Sequence, residues 1–185
     1  MAFGYKLFEE KNGVLYPLFI DKGTPVPMNT WLPAENHPTK NFAPRPGWHI
    51  GEIPDAPWLK GYDGTDKGVY KSRFRNGSRV WCLVEYPTEV DWSERASQYP
   101  KHWMTDRIPE RGYYKFKETA NRLWIIAGEM KIVRVLSEEE RQNILKDMEY
   151  DEISAYAKYK AGFEKKYKAT YDKNNTTYKN KVTIN

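Results

Sequence analysis

The chain has 185 residues, enough for one compact domain with an appendage, and 15% of them are aromatic, so large rings can build a core. The sequence has no apolar run of about 18 residues and no basic and apolar leader, so it predicts neither a membrane span nor a secretory signal. Its single Cys82 excludes an internal disulfide and favours a reducing cytoplasm.

The first predicted element is a β-hairpin within residues 4–20. Residues typical of strands flank Asn12 and Gly13, which together are a strong two-residue turn signal. Pro17 interrupts the second strand and predicts an edge position or a bulge.

The segment 37–58, "HPTKNFAPRPGWHIGEIPDAPW", contains five prolines and excludes a helix. Its prolines reduce the conformational freedom of the unfolded chain. Trp48 and Trp58 bury large areas, so we expect them, with Arg45, to anchor this coil. One short strand is expected at Trp48–Ile50.

A glycine-rich surface excursion is predicted over residues 60–76, followed by "RVWCLVEY" over 79–86. Both faces of this second segment are largely apolar, which is typical of a central strand. A long connection with one helical turn follows. Three further strands are predicted at 113–117, 123–128 and 130–136.

Helical signals begin at Ser137, where "SEEE" matches a capping box. A break in the apolar phase predicts a kink or turn near Tyr150, and a second helical run starts near Asp151. Residues past Thr170 are polar, with a final short strand "KVTI" as one option.

These elements predict an α+β fold with a bent, mainly antiparallel sheet of six to eight strands, proline-rich connections and one or two C-terminal helices. The predicted divisions are a mainly β core at 1–136, a helical segment at 137–170 and a polar tail at 171–185.

No metal site is predicted, because His37, His49 and His102 lack the spacing of metal ligands and there is only one cysteine. Glycine-rich phosphate loops and the GxSxG elbow are also absent from the sequence.

Two basic segments with interleaved aromatics are candidate contacts for DNA, RNA or another polyanion. The alternatives are a solvated flexible loop for the first segment and a helix docked on its own core for the second. The second lies in residues 155–185, which carry eight basic and two acidic residues. The candidate residues are Lys67, Lys71, Arg73, Arg75 and Arg79, and then Lys158, Lys165, Lys166 and Lys168.

A possible catalytic group consists of His49 and Glu85, if their strands are neighbours, beside the Trp48 ring. This set resembles the site of ADP-ribosyltransferase-like enzymes, which implies NAD as the cofactor. In such enzymes the histidine holds a ribose, aromatics sandwich the nicotinamide and the glutamate polarises a ribose hydroxyl. The chain departs from this pattern, because Tyr5 and Lys6 stand where an arginine or histidine is expected and no Ser-Thr-Ser strand exists. The alternative is that these are core aromatics and a structural histidine.

The segments "YKLF", "LYPLFI", "WLPAE", "FAPRPGWHIGEIPDAP", "VWCLVEYP", "RIPERGYYKFK" and "WIIAGEMKIVRVLSEEE" resemble a family of small proteins from bacteriophages and mobile elements of gut bacteria. The resemblance covers residues 5 to about 145 and centres on "RPGWH". It implies a counter-defence protein in the cytoplasm of a bacterial host, similar to anti-CRISPR proteins that act on type II RNA-guided nucleases.

Three hypotheses result. In the first, the protein binds and inhibits a host RNA-guided nuclease or another defence complex without a cofactor. In the second, it is an ADP-ribosyltransferase-like enzyme. In the third, it is a structural or packaging accessory of a phage. The sequence favours them in this order.

Overall fold

The structure is a computed structural model that describes residues 1–35, 47–99, 104–117 and 123–182. For residues 117, 171 and 173–182 it describes the backbone alone. The chain forms two compact units. The first contains Met1–Asp55 and Lys71–Met148, and the second contains Ala56–Tyr70 and Glu149–Asn185. The predictions for His37, Arg45 and His102 fall outside the described residues.

The first unit is a sheet with two helices. Within the described ranges its strands are β1 (Ala2–Lys11), β2 (Val14–Tyr16), β3 (Trp31–Pro33), β4 (Trp48–Gly51), β5 (Ser78–Tyr86), β6 (Val90–Asp91), β7 (Gly112–Lys117), β8 (Leu123–Ala127) and β9 (Glu129–Val135). Its helices are α1 (Ser93–Ser97), which is the predicted single turn, and α2 (Glu138–Asp147).

The strands follow the order β3-β9-β5-β1-β4-β8-β7-β6, and β2 pairs with β1 outside this path. All of these pairs are antiparallel except β6 with β7. The predicted α+β class, with a mainly antiparallel sheet and C-terminal helices, is confirmed. The sequence does not predict β3, which lies in proline-rich coil; Pro33 is tolerated there because β3 is at the edge of the sheet.

The N-terminal hairpin is confirmed. Asn12 has φ 54° and Gly13 has φ 78°, the left-handed pair that a tight two-residue hairpin turn requires. The turn sets the register, in which Lys11 pairs with Val14. Strand β2 ends at Tyr16, directly before Pro17.

Strand β5 is central, as predicted, because it lies between β1 and β9. Its alternate residues Cys82, Val84 and Tyr86 are buried in one apolar cluster. That cluster consists of Phe8, Leu15, Val26, Ile50, Cys82, Val84, Tyr86, Ile125, Ala127, Met130 and Ile132. A second cluster consists of Ala96, Met104, Ile108, Tyr114, Phe116 and Ile126. Because Ile125 and Ile126 belong to different clusters, both faces of the sheet are covered.

The predicted capping box is confirmed. The Ser137 hydroxyl accepts from the Glu140 backbone N–H at 3.1 Å, and the Glu140 carboxylate accepts from the Ser137 backbone N–H at 2.9 Å. The predicted break near Tyr150 is also observed. Helix α2 ends at Asp147, Glu149 adopts a left-handed φ of 52°, and α3 spans Glu152–Val182.

The second unit contains α3 and a 3₁₀ helix at Pro57–Leu59, which pack together. The Lys60 ammonium and the Glu152 carboxylate form a buried ion pair of 2.5 Å. The predicted excursion is closed by two backbone hydrogen bonds between Gly61 and Val69. Gly68 has φ 66°, and a Cβ there would lie 2.7 Å from the Tyr156 ring. The absence of a side chain therefore lets the backbone at residue 68 lie close to this ring.

The compact units differ from the predicted divisions. Helix α2 belongs to the first unit, where Arg141 is buried, forms a 3.7 Å ion pair with Asp55 and donates to the Pro54 carbonyl. Residues 56–70, predicted as part of the core, belong with α3. The described part of the predicted tail is helical, and Lys181 and Val182 therefore form no strand. These groupings result from contacts between distant segments, which local sequence patterns do not record.

We expect Glu152→Gln and Lys60→Met each to weaken the second unit by about 3–5 kcal/mol, because each breaks the ion pair and leaves the opposite charge buried. The double variant should lose less, because neither charge then remains. Hydrogen exchange of the amides in the first turns of α3 measures the effect. Glu164→Gln, an exposed carboxylate of the same helix, is the control. Equal exchange in the single and double variants would contradict the role of the pair.

Candidate functional site

The structure does not bring His49 and Glu85 together. His49 lies on β4 and Glu85 on β5, and these strands are not neighbours, because β1 lies between them. Tyr5 pairs with Gly51, whereas Phe3 pairs with Glu85. The two residues are therefore two strands and about four residues apart, or about 16 Å between backbones. The condition for a catalytic pair, that the two strands are neighbours, is therefore not met.

Glu85 already has a cationic partner. Its carboxylate is 2.5 Å from the Lys131 ammonium, which lies 4.9 Å from the centre of the Trp31 ring. Arg111 lies 5.3 Å from the same ring and forms an ion pair with the buried Glu129. These contacts make Glu85 part of a network of charges around an indole.

The predicted basic stretch contains residues that stabilise the fold. Glu9 is fully buried and accepts hydrogen bonds from the Ser72 hydroxyl at 2.5 Å, the Arg79 guanidinium at 2.8 Å and the Arg73 backbone at 3.3 Å. Burial raises the pKa of Glu9, but the hydrogen bonds from Ser72, Arg79 and Arg73 outweigh it and lower the pKa below its ordinary value. Arg79 is thus a partner for a buried carboxylate.

Arg73 also serves the first unit. Its guanidinium donates to the carbonyls of Pro17 at 2.8 Å and Lys22 at 2.5 Å and lies 4.5 Å from the centre of the Phe74 ring. Arg73 is itself exposed, and so are three further candidates of the stretch: Lys67, Lys71 and Arg75. Lys67 belongs to the second unit and the other two to the first. The five cations therefore do not form one continuous set within a unit.

Helix α3 presents an exposed cationic surface. All residues from 161 to 170 are exposed, and so is Lys158. Lys158, Lys165, Lys166 and Lys168 lie within an arc of about 160° when residues advance by about 100° along a helix. We call these four residues the lysine face.

Two exposed aromatics lie on the opposite side of α3. Phe163 is 59% exposed and Tyr167 is 68% exposed. Among the residues of α3 whose side chains are described, docking on the helix's own core is limited to its beginning, where Tyr156 is buried and Lys160 lies 4.7 Å from the centre of the Tyr62 ring. We call Phe163 and Tyr167 the aromatic face. Most of the described side chains of the second basic segment are therefore exposed to solvent.

Trp48 is half-buried and packs against the first apolar cluster, where its indole N–H donates to the Leu32 carbonyl at 2.8 Å. Trp58 is half-buried in the 3₁₀ helix of the second unit. The predicted anchors therefore belong to different units.

Lys6 was not among the predicted site residues. Its cross-strand partner is the fully buried Cys82, so its side chain extends from the face that carries the first apolar cluster. Its ammonium donates to the His49 carbonyl at 2.7 Å and lies 5.9 Å from the Phe8 ring centre and 5.7 Å from the Trp48 ring centre. The alternation of Gly4, Lys6 and Phe8 is the sequence signal that places a charge on this face.

Burial lowers the pKa of Lys6 to about 8, because the ammonium loses hydration. Burial also raises the pKa of the Cys82 thiol to about 12. Burial, and then the charge of Glu52, raises the pKa of Tyr86 on the same strand face. This side of the sheet therefore favours the neutral form of each of these groups.

Among the described residues, no three His, Cys, Asp or Glu side chains are grouped so that they could hold a metal ion. Every helix in the same ranges falls short of the combined length and apolarity needed to span a bilayer. Comparisons of the chain with protein-family models, curated proteins and solved structures found no match.

We expect Lys6→Met to raise the free energy of unfolding at pH 7 by about 1–3 kcal/mol, because it removes a poorly hydrated charge. The folded pKa of Lys6 lies below its unfolded value, so the unfolded chain binds more protons between about pH 8 and 10. The unmodified protein therefore gains stability across this window, and the advantage of the variant should disappear above it. Urea unfolding of both proteins at pH 7 and pH 10.5 measures this, with exposed Lys146→Met as the control. A gain that is equal at both pH values would contradict it.

Proposed function

We propose that the protein is a counter-defence protein that binds and inhibits a type II RNA-guided DNA nuclease, with α3 as its main contact element. The sequence resemblance supports the class of target. The observation that carries the mode of action is the exposure of the lysine face together with the aromatic face on one helix. A nuclease loaded with RNA and DNA is a polyanion as well as a protein, so it matches both faces.

The lysine face suits a phosphate backbone. Lys158 and Lys168 are about 15 Å apart along the helix axis. One strand of a duplex carries four to five phosphates over about that length. In this proposal the ammonium groups neutralise phosphates and release counterions. This contribution to the binding free energy is independent of nucleotide sequence.

The aromatic face suits a protein surface. Because Phe163 and Tyr167 lie opposite the lysine face, a single phosphate backbone cannot contact both. Exposed aromatics flanked by cations are typical of the residues that dominate protein interfaces. In this proposal, α3 lies between the nucleic acid and the protein of the nuclease complex.

The geometry favours this proposal over the alternatives. An ADP-ribosyltransferase-like site needs His49 and Glu85 in one cleft, and β1 separates their strands. Nothing observed in the described residues specifically supports a structural or packaging role in a phage.

Replacing Lys165, Lys166 and Lys168 by Gln should reduce the slope of log affinity against log salt concentration by about 2 to 3, because three phosphate contacts are lost. The ligand is the nuclease loaded with guide RNA and target DNA, and binding is measured by fluorescence anisotropy at several salt concentrations. The matched control carries Gln at Lys22, Lys115 and Lys146, which are exposed lysines of the first unit. Equal slopes in the two variants would exclude the lysine face as the contact.

Replacing Phe163 and Tyr167 by Ala should weaken binding to the loaded nuclease about tenfold or more, because interface aromatics are often worth more than 1 kcal/mol each. Binding to free nucleic acid should change little. The folded protein should keep its stability, since both rings are exposed. Phe3→Ala, which removes a ring that is 60% exposed in the first unit, is the control.

The proposed inhibition itself is tested by DNA cleavage with the purified loaded nuclease, with and without NAD. We expect cleavage to fall as the protein is added and to be unaffected by NAD. Inhibition that requires NAD would favour the enzyme alternative. Failure to bind a panel of loaded type II nucleases, together with failure to bind nucleic acid, would remove the proposal.

A further inference from the structure

The segment 71–77, which contains part of the predicted basic stretch, is held in place by one buried carboxylate. Glu9 accepts from the Ser72 hydroxyl at 2.5 Å and from the Arg73 backbone N–H at 3.3 Å. The Ser72 hydroxyl in turn accepts from the Phe74 backbone N–H at 3.1 Å. Because Glu9 is fully buried on β1, these bonds attach the segment to the sheet.

The first five residues of this segment alternate between solvent and protein. Lys71, Arg73 and Arg75 are exposed, whereas Ser72 and Phe74 between them are half-buried. Two residues of chain span at most about 7 Å, so the backbones of successive cations are no further apart than that. We call these three exposed residues the cationic loop.

Neutral groups orient the Arg73 guanidinium. It donates to the carbonyls of Pro17 at 2.8 Å and Lys22 at 2.5 Å, and it lies 4.5 Å from the centre of the Phe74 ring. The Lys11 ammonium lies 5.4 Å from the centre of the same ring and adds a fourth positive charge beside the loop. None of these contacts cancels the charge of Arg73.

The positive charge of this surface is not compensated. Within the described residues, neither Lys11 nor any member of the cationic loop forms an ion pair. Of the acids at the end of β1, Glu9 is paired with Arg79, and Glu10 accepts from the Ser78 hydroxyl at 3.0 Å. The surface therefore has an excess of fixed positive charge.

We propose that the cationic loop and Lys11 form a second surface that binds the phosphate backbone of DNA or RNA. Cations that have no carboxylate partner and lie on an anchored segment can neutralise phosphates without first breaking an ion pair. The Arg73 guanidinium, already oriented, presents its remaining N–H donors to a phosphate group. Phosphate contacts do not distinguish bases, so this surface binds without preference for nucleotide sequence.

A phosphate backbone suits this surface better than a protein or a membrane does. Protein interfaces depend on a few aromatic or apolar anchors, and peripheral membrane contacts insert apolar side chains. The rings beside these cations, Phe74 and Tyr16, are half-buried and contact each other, with 5.3 Å between their centroids. They are therefore engaged within the fold, and the exposed side chains of the loop are cations.

The surface lies in the first unit and uses no residue of α3. It can be tested with free nucleic acid, so its test does not depend on the proposed inhibition of a nuclease. The probe is a fluorescent single-stranded oligonucleotide, and binding to the full chain is measured by anisotropy at several salt concentrations. Every protein compared carries Gln at the lysine-face positions Lys165, Lys166 and Lys168, so that these lysines do not contribute.

Adding Gln at Lys11, Lys71 and Arg75 should reduce the slope of log affinity against log salt concentration by about 2, because each contact with a single strand contributes about 0.7. The reduction should be the same for oligonucleotides of different base sequence. The matched control instead adds Gln at three other exposed cations of the first unit and should keep the slope: Arg107, Lys115 and Lys146. Equal slopes for the two variants would overturn the proposal, whatever the result with a nuclease.

Two further measurements test the chemistry of the ligand. Arg73→Lys keeps the charge but not the planar fork, so it should lower affinity several-fold at an unchanged salt slope. Affinity equal to that of the unmodified residue would contradict the role of the oriented guanidinium. Poly-glutamate and phosphatidylserine vesicles, each at the same total charge as the oligonucleotide, should compete poorly. Competition by either as strong as that by unlabelled oligonucleotide would overturn the assignment to nucleic acid.

Discussion

The pairing of β1 with β5 is the constraint on which the first unit depends. Over nine residue pairs it places Gly4, Lys6 and Phe8 on the face of the apolar cluster, and Leu7 and Glu9 on the other face. A shift of one residue would exchange these sets, moving the Glu9 carboxylate into the cluster and Lys6 out of it. The register therefore determines which ionisable groups have partners and which are desolvated.

The same register explains why part of the basic stretch stabilises the fold. Glu9 faces Arg79 across the strands and receives Ser72 and Arg73 from the preceding loop, so that part of the basic stretch satisfies a buried acid. The four lysines of the lysine face of α3, in contrast, are exposed to solvent. Exposed charge that the fold does not use is the physical basis for proposing α3 as the contact element.

Among the candidate site residues, the arrangement of those on α3 could be predicted from the sequence, because a helical period alone places lysines and aromatics on opposite sides. It could not decide whether the helix docks on its own core, which depends on how much of α3 the segment 56–70 covers. The pair His49 and Glu85 was suggested by residue type, and whether two strands are neighbours is not encoded in residue type. Lys6 was overlooked although its position in the alternating pattern was visible, because a single lysine in a strand is usually at the surface.

Local patterns by themselves determined the hairpin at Asn12 and Gly13, the two-faced strand β5, the capping box at Ser137 and the break near Tyr150. Each of these depends on interactions among residues a few positions apart, which the sequence displays directly. The tertiary structure alone decided that β1 separates β4 from β5, that residues 56–70 join α3, and that the Lys6 amine lies near the Phe8 and Trp48 rings. Those outcomes depend on pairing between segments tens of residues apart, where many arrangements satisfy the same local pattern and packing selects one.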